Sequence, residues 1–233
     1  MKMINKKLIF PIAMVGFIVL FSTRCKKDNE YIDTVTDIDG NVYHTVTIGT
    51  QIWMVENLKT MKFFNGDLIP NITDDMEWSD LTIGAYCNYN NDTNYVITYG
   101  RLYNWYAVND PRGLAPKGWH VATDSEWTTL TNYLGGDSVA GGKMKEIGTT
   151  HWHSPNPDAT NESGFSALPG GYRFFTIGEE FGNIGHTGGW WSSSEGNSNV
   201  IYWYMFCIDS WVHRSEGLEL EKNIGLSVRC VKD

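Results

Sequence analysis

Late in the chain Trp190 and Trp191 follow Gly188-Gly189, Trp203 stands in the strand-like run 201–206, and Trp211 comes shortly after it. A flat indole is a surface on which the apolar face of a pyranose can stack, so these four are candidate ligand-binding residues. Neighbouring Trp190 and Trp191 on one strand would point to opposite sides, which places one in the core and the other toward a loop surface. The run Ser192-Ser193-Ser194-Glu195, in a chain with six histidines, holds the residue types of a nucleophile and its base. No Gly-x-Ser-x-Gly elbow frames these serines, and paired carboxylates for glycoside hydrolysis cannot be recognised from spacing. The run is therefore read as polar loop, and no catalytic residue is assigned. The four cysteines are Cys25, Cys87, Cys207 and Cys230. None makes a Cys-x-x-Cys pair or stands at ligand spacing from a histidine, so a thiolate metal centre is not expected.

Cys25 offers a different chemistry. Lys2, Lys6 and Lys7 precede an apolar run over residues 8–20. A basic segment followed by roughly 7–15 apolar residues reads as a secretory signal, since a spanning helix needs roughly 20. Cys25 follows directly, in Ser22-Thr23-Arg24-Cys25-Lys26-Lys27. This resembles a bacterial lipoprotein signal, whose cysteine becomes the diacylated first residue of the mature chain; Arg24 stands where that signal carries a small residue. The resemblance implies a signal peptide over 1–24, a lipid-anchored tether over 25–35 and one domain over 36–233. It also implies an outer-membrane lipoprotein at the cell surface, held by its lipid alone. Several acyl chains anchor far more firmly than one.

The formal net charge is −9. Lys2, Lys6, Lys7 and Arg24 fall in the leader, which has no acid, so the mature chain is more acidic still. Phosphate contacts need clustered Lys and Arg; nucleic acid is excluded as a partner. Aromatic residues make up 14% and glycines number 24, which suits strands joined by many turns rather than a helical bundle.

The elements that would position these residues can be read locally. Asp39-Gly40-Asn41 is a turn, followed by alternating residues 42–48, the turn Gly49-Thr50-Gln51, and Ile52-Trp53-Met54-Val55, a hairpin pattern. Residues 56–98 read as loop. Trp119-His120-Val121 reads as a short strand. Thr123 at an N-cap with Glu126 three residues on forms a capping box, and Trp127, Leu130 and Leu134 recur at helical spacing up to Gly135-Gly136. These features predict Trp119 and Trp127 as core residues. A second short helix is predicted over 139–146, and further strands among the aromatic and glycine runs after residue 165.

Several of these motifs carry a resemblance. Asp37-Ile38-Asp39-Gly40-Asn41, Trp53-Met54-Val55-Glu56-Asn57-Leu58, Gly118-Trp119-His120-Val121, Leu168-Pro169-Gly170-Gly171-Tyr172-Arg173 and Ser227-Val228-Arg229-Cys230-Val231 stand in this order, and together resemble the Fibrobacter succinogenes major paralogous domain, from about residue 36 to the end. The resemblance implies export, often as a lipoprotein, and brings no activity with it. More distantly, residues 118–127 resemble the strand-to-helix entry of the formylglycine-generating, sulfatase-modifying enzymes. That implies an α+β, C-type lectin-like fold: short twisted antiparallel sheets with one or two helices and long loops. The closely spaced active-site cysteines and the Gly-Asn-x-Trp-Glu-Trp signature of those enzymes are absent, so their activity is not carried over.

Two further expectations follow from these resemblances. The paralogous family usually carries a cysteine before Pro-x-Gly-Trp-His, where this chain has Ala115. Cys230 then needs another partner. Cys207 is the first candidate if their strands are neighbours, with Cys87 as the alternative. Lectin-like domains often hold Ca²⁺ through loop oxygens, which suit this hard cation; Asn156, Asp158, Asn161 and Glu162 are the candidate ligands. The expectation as a whole is a non-catalytic surface domain that recognises an extracellular polymer, a glycan above all, or a surface protein. A ligand-free envelope scaffold and a hydrolase without a recognisable motif are the alternative classes.

Overall fold

The computed structural model describes residues 33–174, 180–196, 199–217 and 219–233; the leader, Cys25 and residues 26–32 lie outside them. Turn chemistry starts the first sheet. Asp37 accepts from the backbone N–H of Asp39 at 3.0 Å and of Asn41 at 2.9 Å, and from the Tyr43 hydroxyl at 2.6 Å. Such local bonding makes Asp a turn former. The turn joins β1 (Asp33–Thr36) to β2 (Val42–Ile48), and the Gly49 turn joins β2 to β3 (Gln51–Met54), as the alternation predicts.

The stretch read as loop carries short pieces of structure, α1 (Asp75–Ser79), β4 (Tyr86–Cys87) and the start of α2 (Val96–Tyr99); after it come β5 (Leu102–Tyr103) and α3 (Trp105–Val108). After β6 (Trp119–Val121) comes α4 (Asp124–Tyr133), whose capping box is formed in full. The Thr123 N–H donates to Glu126 Oε2 at 2.8 Å, and the Glu126 N–H to Thr123 Oγ1 at 3.3 Å. α5 (Asp137–Met144) begins two residues before the predicted start. Its Gly141 and Gly142 admit close backbone approach: a Cβ on Gly141 would meet the Trp211 carbonyl at 2.5 Å, and one on Gly142 the Asp158 carbonyl at 2.7 Å. The chain continues through β7 (Gly170–Arg173), β8 (Phe181–Ile184), β9 (Thr187–Glu195), β10 (Val200–Phe206), β11 (His213–Gly217) and β12 (Cys230–Lys232).

The strands form two five-stranded sheets and a small pair, β4-β5. In the first, β12 returns to insert between β3 and β6, giving the antiparallel order β1-β2-β3-β12-β6. The second has the order β11-β10-β9-β7-β8, antiparallel except where Gly171 of β7 meets Gly188 of β9. The molecule is thus α+β and sheet-dominated; among the described residues only α4 and α5 are longer than five residues. No helix among these residues is long and apolar enough to cross a membrane.

Two main cores flank β9. One holds Trp53, Trp127, Trp152, Phe165, Trp190 and Trp203; the other holds Tyr43, Leu58, Tyr103, Trp105, Trp191, Val228 and Cys230. Trp127 is fully buried, as predicted. Trp119 is not: it is half-buried and packs against the second core from outside, because β6 is an edge strand with one side open.

The cysteine expectation needs correction. Cys87, Cys207 and Cys230 are all buried and free. Cys207 follows β10 in the second sheet, whereas Cys230 opens β12 in the first, paired with Val121. The two strands are not neighbours, so the premise of a Cys207–Cys230 bridge fails. Burial pushes the Cys87 thiol up to about 12, with Arg173 pulling the other way. Burial likewise raises Cys230, and such thiols are poor nucleophiles.

Candidate functional site

The parity of β10 creates the site. Ile201, Trp203 and Met205 point into the first core, and Tyr202, Tyr204 and Phe206 occupy the opposite face, each half-exposed. On that face the β9 partners of Tyr202, Tyr204 and Phe206 are Trp191, Gly189 and Thr187. Trp191 is covered by the second core, but next to it Gly189 presents no side chain and only the Leu226 methyl reaches over it. Tyr172 and Phe174, with ring centroids 5.9 Å apart, line the same trough, as do Ile224 and Leu226. The result is an aromatic-walled trough of about 290 Å³.

The aromatic surface continues beyond the trough. Tyr204 stacks on His213 of β11 with ring centroids 5.1 Å apart and planes at 14°, and His213 stacks on Trp211 at 6.1 Å and 18°. Trp211 is 51% exposed. Its turn is fixed from below by Lys145, a wholly buried lysine whose ammonium donates to the carbonyls of Phe206 at 3.2 Å and Asp209 at 2.5 Å. Burial lowers the Lys145 pKa, opposed by the charge of Asp209. Asp209 in turn accepts from the Trp211 N–H at 3.0 Å. A buried lysine acting as a strut was not read from the sequence, where Lys145 gave no signal.

The polar groups of the trough are neutral. Asn183 donates to the Tyr172 hydroxyl at 2.9 Å. Thr187 is 4% exposed, and its Oγ1 has no hydrogen-bond partner among the described residues. Burial raises the Tyr202 phenol, opposed by Ser215, so it stays an O–H donor. Among the described residues lining the trough none is charged.

The predicted ligand-binding tryptophans therefore divide. Trp211 lies on the open aromatic strip. Trp190 and Trp191 are completely buried and Trp203 is 2% exposed; none of these three can stack on a ligand. The expectation that one of Trp190 and Trp191 faces outward fails because each lies inside a core, Trp190 in the first and Trp191 in the second. The aromatics on the open face are the tyrosines and Phe206 that alternate with Trp203.

The candidate calcium ligands are brought near one another but do not converge. Asp158 Oδ2 accepts from the Ser210 hydroxyl at 3.1 Å, and Glu162 pairs with Lys143 at 3.1 Å. Asn161 bonds Ser166 through both side-chain atoms, at 2.8 Å each. Asn156 turns its amide nitrogen to the carbonyls of Glu146 at 3.1 Å and Gly148 at 2.7 Å. A Ca²⁺ cage needs oxygens aimed at one point; here those of Asp158, Asn161 and Glu162 serve separate local partners, and Asn156 Oδ1 is buried without a partner among the described residues. Among the described residues no cluster of three or more His, Cys, Asp or Glu could hold a metal.

The serine run is likewise structural. Ser192 is buried, Ser193 donates to the Val121 carbonyl at 2.8 Å, and Ser194 accepts from the Asp124 N–H at 3.0 Å. The histidine best supplied with carboxylates is His120, 2.8 Å from both Glu126 and Asp233. Burial opposes its charge, but the bonds to Asp233 and Glu126 prevail and hold it above the ordinary range. Glu126 also caps α4, so His120 is a strut joining β6, α4 and the last residue.

The sequence model of one family, described as the Fibrobacter succinogenes major domain, matches residues 46–232. Comparison with curated proteins and with solved structures found no match.

Proposed function

We propose that this chain, which belongs to the Fibrobacter succinogenes major domain family, is an exported, lipid-anchored surface protein that binds an extracellular glycan without catalysis. The single observation that carries this reading is the open aromatic strip Tyr202-Tyr204-Phe206 with His213 and Trp211, beside a trough floored by glycine. Half-exposed rings along one strand face are costly to leave in water and are suited to stack on the apolar faces of sugar rings. The reading further takes the fold as C-type lectin-like, consistent with sheets closed by the returning C-terminal strand. The surface address is proposed from the leader and Cys25, with an extracellular polymer as partner and the lipid as the membrane contact.

Tyr204→Ala and Trp211→Ala are each expected to weaken binding to a glycan found by array screening about tenfold, or roughly 1.4 kcal/mol. Titration calorimetry on the full-length chain in detergent reads this directly. Tyr133, 66% exposed on α4, is the control ring. Undiminished binding in both strip variants would sink the assignment, and a loss with Tyr133→Ala alone would move the site to the α4 side.

Lipidation has its own test. Cys25→Ala is expected to abolish metabolic labelling with a fatty acid and to release the protein from the membrane fraction. An unchanged acyl label would overturn this part of the reading.

A further inference from the structure

We propose that the trough seats a sugar unit of a neutral polysaccharide, ring face on Tyr204 and one hydroxyl bonded to Thr187 Oγ1 above Gly189. This deepens the glycan-binding reading and rests on it. Gly189 is the first support. Its backbone does not need glycine, having no positive φ, but an added Cβ would press on the Leu226 Cδ2 methyl at 3.1 Å, closer than ordinary contact. The contrast is Gly188, where a Cβ would lie 2.5 Å from the Trp190 ring and 2.7 Å from the Leu168 carbonyl. Gly188 is demanded by packing. Gly189 instead makes room for the Leu226 methyl opposite Tyr204, the β10 residue it pairs with, so a methyl added there would displace Leu226, which lines the trough.

Thr187 is the second support. Buried polar groups are almost always hydrogen-bonded, yet the Thr187 hydroxyl, on a residue that lines the trough, is buried and finds no partner among the described residues. A ligand that lies flat on aromatics and presents hydroxyls satisfies both features. A purely aromatic ligand would leave Thr187 unsatisfied. The third support is charge. The described lining has no cation to pair with a carboxylate or sulfate, and the chain carries −9 overall, which repels acidic glycans at long range. The ligand class is therefore uncharged.

Calorimetry on the full-length chain in detergent separates the outcomes, with neutral β-1,4-linked glucose, xylose and mannose oligosaccharides as probes against oligogalacturonate and heparin fragments. A neutral oligosaccharide is expected to bind, and Gly189→Ala and Thr187→Val to weaken it tenfold or more, with Thr187→Ser retaining most of the affinity. Thr187→Val is also expected to leave the melting midpoint level or raise it, because it removes an unsatisfied hydroxyl of the same shape; a merely structural threonine would lower it. Tighter binding of the acidic probes would overturn the ligand class. Full affinity in both Gly189→Ala and Thr187→Val, with loss in Tyr204→Ala, would overturn the trough subsite and leave the aromatic strip standing. No binding of any glycan by the wild-type chain would remove both this inference and the reading beneath it.

Discussion

Cutting Trp127 back to alanine is expected to cost about 3–5 kcal/mol of unfolding free energy, the range for a buried aromatic. For a domain of this size that lowers the melting midpoint by about 6–20 °C, at about 2–4 °C per kcal/mol. The physical ground is the position of the ring. Its centroid lies 5.0 Å from Trp53, 5.7 Å from Phe165, and 6.0 Å from both Trp190 and Trp203, the last pair stacked with planes at 16°. Trp127 thus joins the first sheet to the second through α4, and its loss opens a cavity that four aromatic neighbours are too rigid to fill. Its Nε1 has no partner among the described residues, so the contribution is packing and not a hydrogen bond. Trp127→Phe should accordingly recover much of the loss. An alanine variant with an unaltered midpoint would show that α4 presents another face to the core.

What the sequence revealed about this fold and site follows the range of each signal. The capping box and the 127, 130, 134 spacing act within one helix, so α4 was legible; so was the β2–β3 hairpin, fixed by a glycine turn between alternating runs. The alternation of β10 was equally plain, but parity tells only that Trp203 and Tyr204 face opposite ways. Which side stays open depends on what covers each, and here the second core covers Trp191 and reaches Gly189 only through the Leu226 methyl, leaving Tyr204 and Phe206 half-exposed. The usable hint was Gly188-Gly189, small residues that make room beside large ones, although only the strand register says beside which. Of the four tryptophans only Trp211 is exposed, in the turn after β10, and nothing in the sequence set it apart from the other three. The oxygen-rich loop misled because composition counts potential ligands and not the local donors that engage them. The cysteines misled for the same reason of range: β12 leaves its sequence neighbours to pair with β3 and β6, a choice that no local pattern records.

The last expected effect is the removal of Arg229, which joins motifs distant in sequence. Its side chain is buried, with Nε donating to Asn57 Oδ1 at 2.6 Å, Nη1 to the carbonyls of Met54 at 2.9 Å and Phe165 at 2.8 Å, and Nη2 to the Ser166 carbonyl at 3.2 Å. The guanidinium also lies over the Phe165 ring, 4.4 Å from its centroid. Asn57 Oδ1 accepts from Trp190 Nε1 as well, at 2.8 Å, so a single amide oxygen ties Arg229 to the strand between the two cores. Arg229→Ala leaves several buried acceptors without a donor, each costing about 1–3 kcal/mol where nothing replaces it. A loss of about 3 kcal/mol or more is therefore expected in urea unfolding. Arg229→Lys should recover little, because one ammonium cannot reproduce a rigid fork of donors directed at separate carbonyls. The shared oxygen also makes Arg229 and Asn57 interdependent: the double variant with Asn57→Ala is expected to lose less than the sum of the single losses, by about 0.5–3 kcal/mol. Strict additivity would mean that the two residues stabilise the fold separately, and that the motif around Asn57 and the motif around Arg229 do not act through one buried contact.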